Sequence, residues 1–250
     1  MLTDRGQLVR KNEKLEIVLP SEIYNQAFNR SLTILIGGHG SGKSEFAIVW
    51  ARRLIKAGHK HVTLVDLDTI KPLFRSQEAQ TALKREGIEV VISSIPHSDM
   101  PSISPTMYGE ISDISKWIVV DVGGDAIGAR ILASLRNNLQ GRIHNLIYIT
   151  NASRPFNFDV NSCTRELKRI ENTSGMKITA LVSNTHMLDE TTPEIINRGL
   201  NITQEISANL GIPFLGVMAE EKIANSLAIP DDVELFVMRR MLNPYWLREY

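Results

Sequence analysis

The sequence predicts an α/β fold, a three-layer sandwich in which a mostly parallel sheet of seven to eight strands carries helices on both faces. Short apolar runs rich in β-branched residues alternate with amphipathic segments of helical period along most of the chain. The apolar runs lack a polar face, which is typical of strands that are buried on both sides. A length of 250 residues suits one large domain of this kind.

The predicted strands are apolar runs, and they lie at residues 32–36, 61–65, 88–92, 117–120, 146–149, 177–182 and 213–217. The predicted helices repeat apolar residues three and four positions apart, and they lie at residues 45–57, 75–85, 129–138 and 159–171. One more helix has Thr192 as its N-cap, Pro193 at its first position and Gly211 after its end. Helical segments are expected to close the chain.

A glycine-rich segment between the first strand and the first helix carries the clearest functional signal. It fits the pattern G-x-x-x-x-G-K-[ST], the phosphate-binding loop or P-loop of nucleotide-binding proteins. Its backbone N–H groups and the helix N-terminus are expected to bind phosphate oxygens. Lys43 would reach the β- and γ-phosphates, and the Ser44 hydroxyl would bind Mg²⁺. The nucleotide-binding residues expected here are Gly37, Gly38, His39, Gly40, Ser41, Gly42, Lys43, Ser44 and Glu45.

Carboxylates follow two other predicted strands, at the edge of the sheet where ligands of parallel α/β proteins gather. Asp66 and Asp68 end the second strand, and Asp121 ends the fourth. An aspartate that ends an apolar strand is the Walker B pattern, which holds Mg²⁺. Asp66 has a second interpretation, in which it buttresses the P-loop, and Asp125 is expected to cap the next helix.

These motifs together resemble the MinD/ParA-like branch of P-loop NTPases, in the SIMIBI class, which includes the CobB/CobQ-type ligases and dethiobiotin synthetase. The resemblance covers most of residues 31–225. It rests on the P-loop, on Val-Asp-Leu-Asp at 65–68, Asp-Val-Gly-Gly at 121–124, Val-Ser-Asn at 182–184 and the segment 211–218.

The resemblance implies a P-loop ATPase that binds ATP or ADP with Mg²⁺, and it assigns roles to single residues. Asp68 would lie in switch I, orient the attacking water and approach the metal. Asp121 would lie in switch II beside the metal, with Lys43 completing the catalytic set. Asn184 would contact the adenine, and a loop at Met218 would flank it. Because residues 184–187 lack the lysine and aspartate of a guanine-reading N-K-x-D element, ATP is favoured over GTP.

Two positions depart from the MinD/ParA pattern. Gly38 stands where those proteins carry a signature lysine that reaches across a dimer. This departure argues against a lysine-driven dimer switch and favours slow or partner-stimulated hydrolysis. A second departure is Ala219, which replaces the usual proline after the last strand.

Three functions remain open at this stage. The leading one is a nucleotide-dependent ATPase switch that acts on a protein partner or forms a homodimer. The second is a small-molecule kinase or ATP-dependent ligase, with a second substrate. The third is a cofactor or metal-centre assembly NTPase, against which the single cysteine, Cys163, argues.

Three segments keep alternative interpretations. Residues 93–115 are predicted to be a long loop, either a lid or partner surface or an inert excursion. Arg154 is interpreted as an arginine finger, as a binding group for an acidic substrate, or as a surface residue. The tail at 234–250 is expected to pack on the body, although it also suits a membrane-binding helix.

Composition and the N-terminal segment indicate which classes of partner and which domain organisation to expect. Lys plus Arg and Asp plus Glu number 28 each, so no net charge attracts nucleic acid. The N-terminus lacks a signal-type apolar run, which predicts a cytoplasmic protein without membrane attachment. We expect an N-terminal arm at residues 1–30 packed on a single P-loop nucleotide-binding domain at residues 31–250, with a helical tail from about residue 230.

Overall fold

The structure, a computed structural model, describes residues 7–11, 14–18, 20–68, 74, 77–92, 103–124, 126–139, 141–155 and 157–242. Its strands are β1 (Gln7–Lys11), β2 (Lys14–Val18), β3 (Leu32–Ile36), β4 (Val62–Asp66), β5 (Ile88–Ile92), β6 (Trp117–Asp121), β7 (Asn145–Thr150), β8 (Ala180–Ser183), β9 (Phe214–Glu220) and β10 (Glu234–Met238). Its helices are α1 (Pro20–Phe28), α2 (Lys43–Lys56), α3 (Gln77–Arg85), α4 (Pro105–Ser112), α5 (Ala126–Arg136), α6 (Val160–Ser174), α7 (Pro193–Leu210) and α8 (Glu221–Ala224).

The main sheet confirms the predicted fold class. Eight strands lie in the order β10-β9-β8-β7-β3-β6-β4-β5, and every pair is parallel. The strand that precedes the P-loop, β3, lies in the interior of the sheet between β6 and β7. The register pairs Asp66 of β4 with Asp121 of β6, so the sheet brings these carboxylates together beside the P-loop.

Helices cover both faces of the sheet and form two apolar cores. On one face, α1, α2 and α3 pack in a cluster that includes Phe46, Trp50 and Phe236. On the other face, α4, α5, α6 and α7 pack in a cluster that includes Tyr148 and Leu200. Successive residues of β3 alternate between the two clusters, which is the period of two expected for a strand. The three layers follow from this alternation.

The C-terminal part differs from the helix that the sequence predicts. Residues Glu234–Met238 form the edge strand β10, which pairs in parallel with β9. Phe236 is fully buried and meets the ring of Phe46 edge-on, with 5.1 Å between ring centroids. An exposed Val237 follows it, so this segment alternates like a half-buried strand. Residues 243–250 of the predicted tail lie outside the described residues.

Two other segments contain structure that the sequence analysis did not predict. Within the supposed loop at 93–115, α4 begins after Ser104, whose side chain accepts from the backbone N–H of Met107, with Pro105 at the first helical position. The N-terminal arm forms the antiparallel pair β1–β2 and helix α1. Tyr24 and Phe28 of α1 pack against the ring of Trp50 in α2. Residues 93–102 and Asp125 lie outside the described residues.

Candidate functional site

The P-loop joins the end of β3 to the N-terminus of α2, as the sequence predicts. Gly40 and Gly42 have φ angles of 71° and 80°, in the left-handed region that favours glycine. A Cβ on Gly42 would also lie 2.1 Å from Nδ2 of Asn184. Glycine is therefore required at this position both for the turn and for the close approach of Asn184.

Three of the residues expected to handle Mg-nucleotide lie together at the start of α2. The Ser44 hydroxyl donates a hydrogen bond to Oδ2 of Asp121, and Nζ of Lys43 donates to the Gly38 carbonyl at 3.2 Å. All three side chains are buried. Oδ1 of Asp121 is buried with no hydrogen-bond partner among the described residues. A hydroxyl and a carboxylate with a spare oxygen fit a magnesium ion held partly through water.

Burial changes the proton affinity of this carboxylate. Loss of hydration raises the pKa of Asp121 to about 6, although the Lys43 ammonium and the Ser44 hydroxyl oppose the change. The negative charge of Asp68 adds to the increase. Asp121 is therefore mostly ionised at neutral pH, and it takes up a proton in mildly acidic solution.

The two aspartates that follow β4 have different surroundings. Asp66 is buried, and its carboxylate accepts from the backbone N–H of Asp68 at 2.9 Å. Burial first, and repulsion by Asp121 second, raise the pKa of Asp66 well above its ordinary value. Asp68 is partly exposed, and a Cβ on Gly123 would lie 3.5 Å from its Oδ1. Asp66 thus shapes the end of β4, while Asp68 faces the loop that follows Asp121.

The loop after β6 packs directly on the P-loop. A Cβ on Gly124 would lie 2.7 Å from the Gly37 carbonyl oxygen, 2.8 Å from the carbonyl carbon of Gly38 and 2.8 Å from the His39 nitrogen. Only a glycine allows two backbones to approach this closely. The residues after Asp121 are therefore in direct backbone contact with the P-loop.

Side chains from two neighbouring strand ends hold the P-loop carbonyls. The Gly40 carbonyl accepts from Nδ2 of Asn151 at 3.0 Å and from Nε of Arg154 at 3.2 Å. The next carbonyl, on Ser41, accepts from Nδ2 of Asn184 at 2.7 Å. The loops after β7 and β8 thus fix the P-loop from its outer side.

His186 lies beside these contacts and is electrically neutral. Its ring hydrogen-bonds the backbone of Gly40, and burial, followed by the charges of Arg154 and Arg240, lowers the pKa of His186 to about 4. Its backbone N–H donates to Oδ1 of Asn151 at 3.3 Å. The imidazole therefore braces the loop without adding a charge near neutral pH.

The structure gives a local reason for a glycine at position 38, where the resemblance to MinD/ParA proteins would lead one to expect a lysine. A Cβ on Gly38 would lie 2.7 Å from Nδ2 of Asn157. Asn157 is buried, and its Oδ1 accepts from the Tyr148 hydroxyl at 2.8 Å. Nδ2 of Asn157 has no hydrogen-bond partner among the described residues. An asparagine from the loop before α6 thus fills the space that a side chain at position 38 would need.

Replacing Gly38 with alanine is expected to lower the free energy of unfolding by about 1–3 kcal/mol, because the new methyl group overpacks against Asn157. Gly109→Ala is the matched control, since nothing lies within 4 Å of a Cβ in the middle of α4. We expect it to be neutral or slightly stabilising. Chemical denaturation measures both changes. Equal unfolding free energies for Gly38→Ala and the unsubstituted protein would contradict the close packing.

Other residues expected in the site lie at its margin or outside it. His39 is exposed on the P-loop. The Glu45 carboxylate turns to the C-terminal segment and accepts from the backbone N–H groups of Met241 and Leu242 at 2.9 and 2.7 Å. Met218 lies inside β9 and packs in the apolar core, so residues 218–220 form a strand where a loop was expected, and the contact of Met218 with the base stays a prediction. That strand is longer than its apolar run indicated.

The sequence analysis missed the group of side chains that brace the P-loop. Asn151, Asn157 and His186 all follow predicted strands, at the edge where ligands gather. Their position was therefore a usable signal, although neutral side chains in loops match no motif.

Cys163 is buried, and burial raises the pKa of its thiol to about 12. No helix among the described residues is long and apolar enough to cross a membrane.

Comparisons with known proteins identify the fold. No protein-family model and no curated protein matches the sequence. Among solved structures, the chain is similar to the cell division protein FtsY of Thermotoga maritima, at 19% identity over 80% of this chain and 67% of that one, with a TM-score of 0.50. It is also similar to the signal recognition particle receptor FtsY of Elizabethkingia anophelis, at 18% identity over 90% and 72%, with a TM-score of 0.52.

A second structure of that receptor, in complex with GDP, matches at 14% identity over 79% of this chain and 64% of that one, with a TM-score of 0.52. At these identities the similarity shows the fold and nothing further. The chain has the fold of P-loop NTPases.

Proposed function

We propose that this protein is a Mg-ATP-binding P-loop ATPase of the MinD/ParA-like type, a switch that is slow or stimulated by a partner. The observation that carries the proposal is the contact between Ser44 and Asp121, beside the buried Lys43. This arrangement pairs a metal-binding hydroxyl and carboxylate with a cation for the phosphates. Positioning and charge neutralisation are the main requirements of phosphoryl transfer.

The contact of Gly124 with the P-loop supports a switch. Its backbone packs on Gly37, Gly38 and His39, so the P-loop would contact both a bound nucleotide and the loop after Asp121. A γ-phosphate that shifts the P-loop would therefore also shift the loop after Asp121, and a protein partner or a second copy of the chain could recognise that change. In this proposal Asp68, which faces the same loop, orients the attacking water.

The environment of Asn184 supports adenine over guanine. Asn184 is buried, with its amide bound to the P-loop, and the residues after it include His186, which is neutral, and Met187, which is apolar. A guanine site uses a carboxylate that accepts from the N1–H and amino groups, and residues 184–187 supply none. One similar structure holds GDP, so the choice of base needs a direct measurement.

Isothermal calorimetry with Mg-ATP and Mg-GTP tests this proposal. We expect binding of both, with ATP bound more tightly, and slow release of phosphate in a steady-state assay. Absence of nucleotide binding would overturn the proposal, and tighter binding of GTP would overturn the choice of adenine. Turnover that yields a phosphorylated or ligated product from a small carboxylate or amine would replace the switch by an enzyme of the kinase or ligase class.

A further inference from the structure

Arg154 occupies a defined place on the P-loop that its expected roles do not explain. A Cβ on Gly40 would lie 2.9, 3.2 and 3.4 Å from its Nε, Cζ and Nη2 atoms. The guanidinium therefore lies against Gly40, close enough to exclude a side chain there. Its Nε also donates to the Gly40 carbonyl at 3.2 Å. The P-loop therefore holds the guanidinium in a defined place, and the residue as a whole is partly exposed.

The carbonyls show on which side of the P-loop Arg154 lies. In a P-loop the backbone N–H groups turn toward the phosphates. The Gly38 carbonyl accepts from Lys43, whereas the carbonyls of Gly40 and Ser41 accept from side chains of the loops after β7 and β8. Arg154 binds the Gly40 carbonyl, and Asn184 binds the next one, on Ser41. Arg154 is therefore on the same outer side as Asn184, the residue proposed to contact the base. This position does not suit an arginine finger, which must reach the γ-phosphate.

The charge of Arg154 is not neutralised by an ion pair within the described residues. The neighbouring His186 is neutral near pH 7, since its pKa is lowered to about 4. A second arginine, Arg198, contacts the loop after β7 that carries Arg154. It donates to the Ala152 carbonyl and the Ser153 hydroxyl and not to the P-loop. Arg154 is thus a planar cation held against the nucleotide loop, with its charge available to a ligand.

We propose that the Arg154 guanidinium forms one wall of the base site and stacks on the ring of the bound purine. Guanidinium groups stack well on aromatic rings, which attract a cation to their faces. The inference rests on the proposed function, because it takes the position of the base from Asn184. Stacking uses the π-face that every base has. Arg154 therefore raises affinity for nucleotides over inorganic polyphosphate and does not choose between adenine and guanine.

Calorimetry with ADP, GDP and tripolyphosphate, each with Mg²⁺, tests the inference on the full chain. In Arg154→Ala we expect affinity for ADP and GDP to fall by about 5- to 100-fold, from the usual effect of losing one stacked base. Affinity for tripolyphosphate should stay within about twofold. Arg154→Lys, which keeps the charge but not the plane, should lose most of the same affinity. Arg198→Ala, the control for disturbance of the loop, should bind all three like the unsubstituted protein.

The other outcomes separate the explanations. Equal losses for ADP and tripolyphosphate would mean that Arg154 only braces the P-loop, which would overturn the inference. Unchanged ADP affinity with a lower kcat would identify an arginine finger and would also overturn it. A loss confined to one purine would contradict stacking. If the unsubstituted protein binds tripolyphosphate but neither nucleotide, the proposed function itself fails, which is distinct from a failure of the variants alone.

Discussion

Replacing Lys43 with alanine is expected to lower the affinity for Mg-ATP by about 100-fold or more, equivalent to about 3 kcal/mol. The side chain is only 7% exposed, and its ammonium lies on the Gly38 carbonyl, inside the curve of the P-loop. Without it, the phosphates lose a desolvated cation and a charge-assisted hydrogen bond. The pKa of Asp121 also rises further, because the charge of Lys43 lowers it. Calorimetry with Mg-ATP measures the loss.

Lys56→Ala is the matched control for this variant. Lys56 lies in the last turn of the same helix, α2, and is exposed, so its removal changes the net charge equally without touching the P-loop. We expect nucleotide affinity within about twofold of the unsubstituted protein, since surface charges contribute little. Loss of affinity in both variants would attribute the effect to net charge, and retention in Lys43→Ala would exclude Lys43 from the phosphate site.

Replacing Asp121 with asparagine is expected to stabilise the nucleotide-free protein and to abolish Mg-dependent binding and turnover. Raising the pKa of Asp121 from its ordinary 3.8 to about 6 means that the charged form costs up to about 3 kcal/mol in the folded state. Asparagine has the same shape and is neutral, and it removes this cost. It also removes the anionic oxygen that would hold the metal shell. The carboxylate proposed to hold the metal shell therefore lowers the stability of the nucleotide-free protein.

The effect of Asp121 on folding stability depends on pH, and the direction of this dependence follows from its raised pKa. A carboxylate with a raised folded pKa favours the folded state below its unfolded pKa, and this contribution is lost as pH rises through about 6. The melting temperature of Asp121→Asn should therefore exceed that of the unsubstituted protein at pH 8, and the difference should shrink toward pH 5. Affinity for Mg-nucleotide should fall below about pH 6, where protons compete with the metal. A melting difference that is constant with pH would contradict the raised pKa.

The fold could be predicted largely because its strands are buried on both faces. Such strands appear in the sequence as continuous apolar runs, and β3 has the predicted bounds. The strand β10 was missed because it is half-buried at the sheet edge and carries charged residues such as Glu234. The helix α4 was missed although Ser104 and Pro105 are a cap and first-turn signal, because serines and prolines around them favoured a loop.

The site could be predicted where the chemistry is encoded by one local motif. The P-loop sequence motif identifies Lys43 and Ser44, and the position at the end of an apolar strand identifies Asp121. The brace at Asn151 could not be found in this way, because its partner is the backbone carbonyl of Gly40, more than a hundred residues away in the chain. Asn157 likewise lies beside Gly38, which is far from it in the sequence. Their role follows only from strand order, which places β7 beside β3.

The bond between Glu45 and the segment after β10 has a consequence for how the chain folds. Its two ends are 196 residues apart at Met241, so the first turn of α2 obtains this partner only after those residues have been synthesised. Until then the aromatic face of α2, including Trp50, also lacks Phe236. Contacts of such separation form slowly. The P-loop and α2 are therefore synthesised well before β10 and the residues after it, which complete the packing around α2.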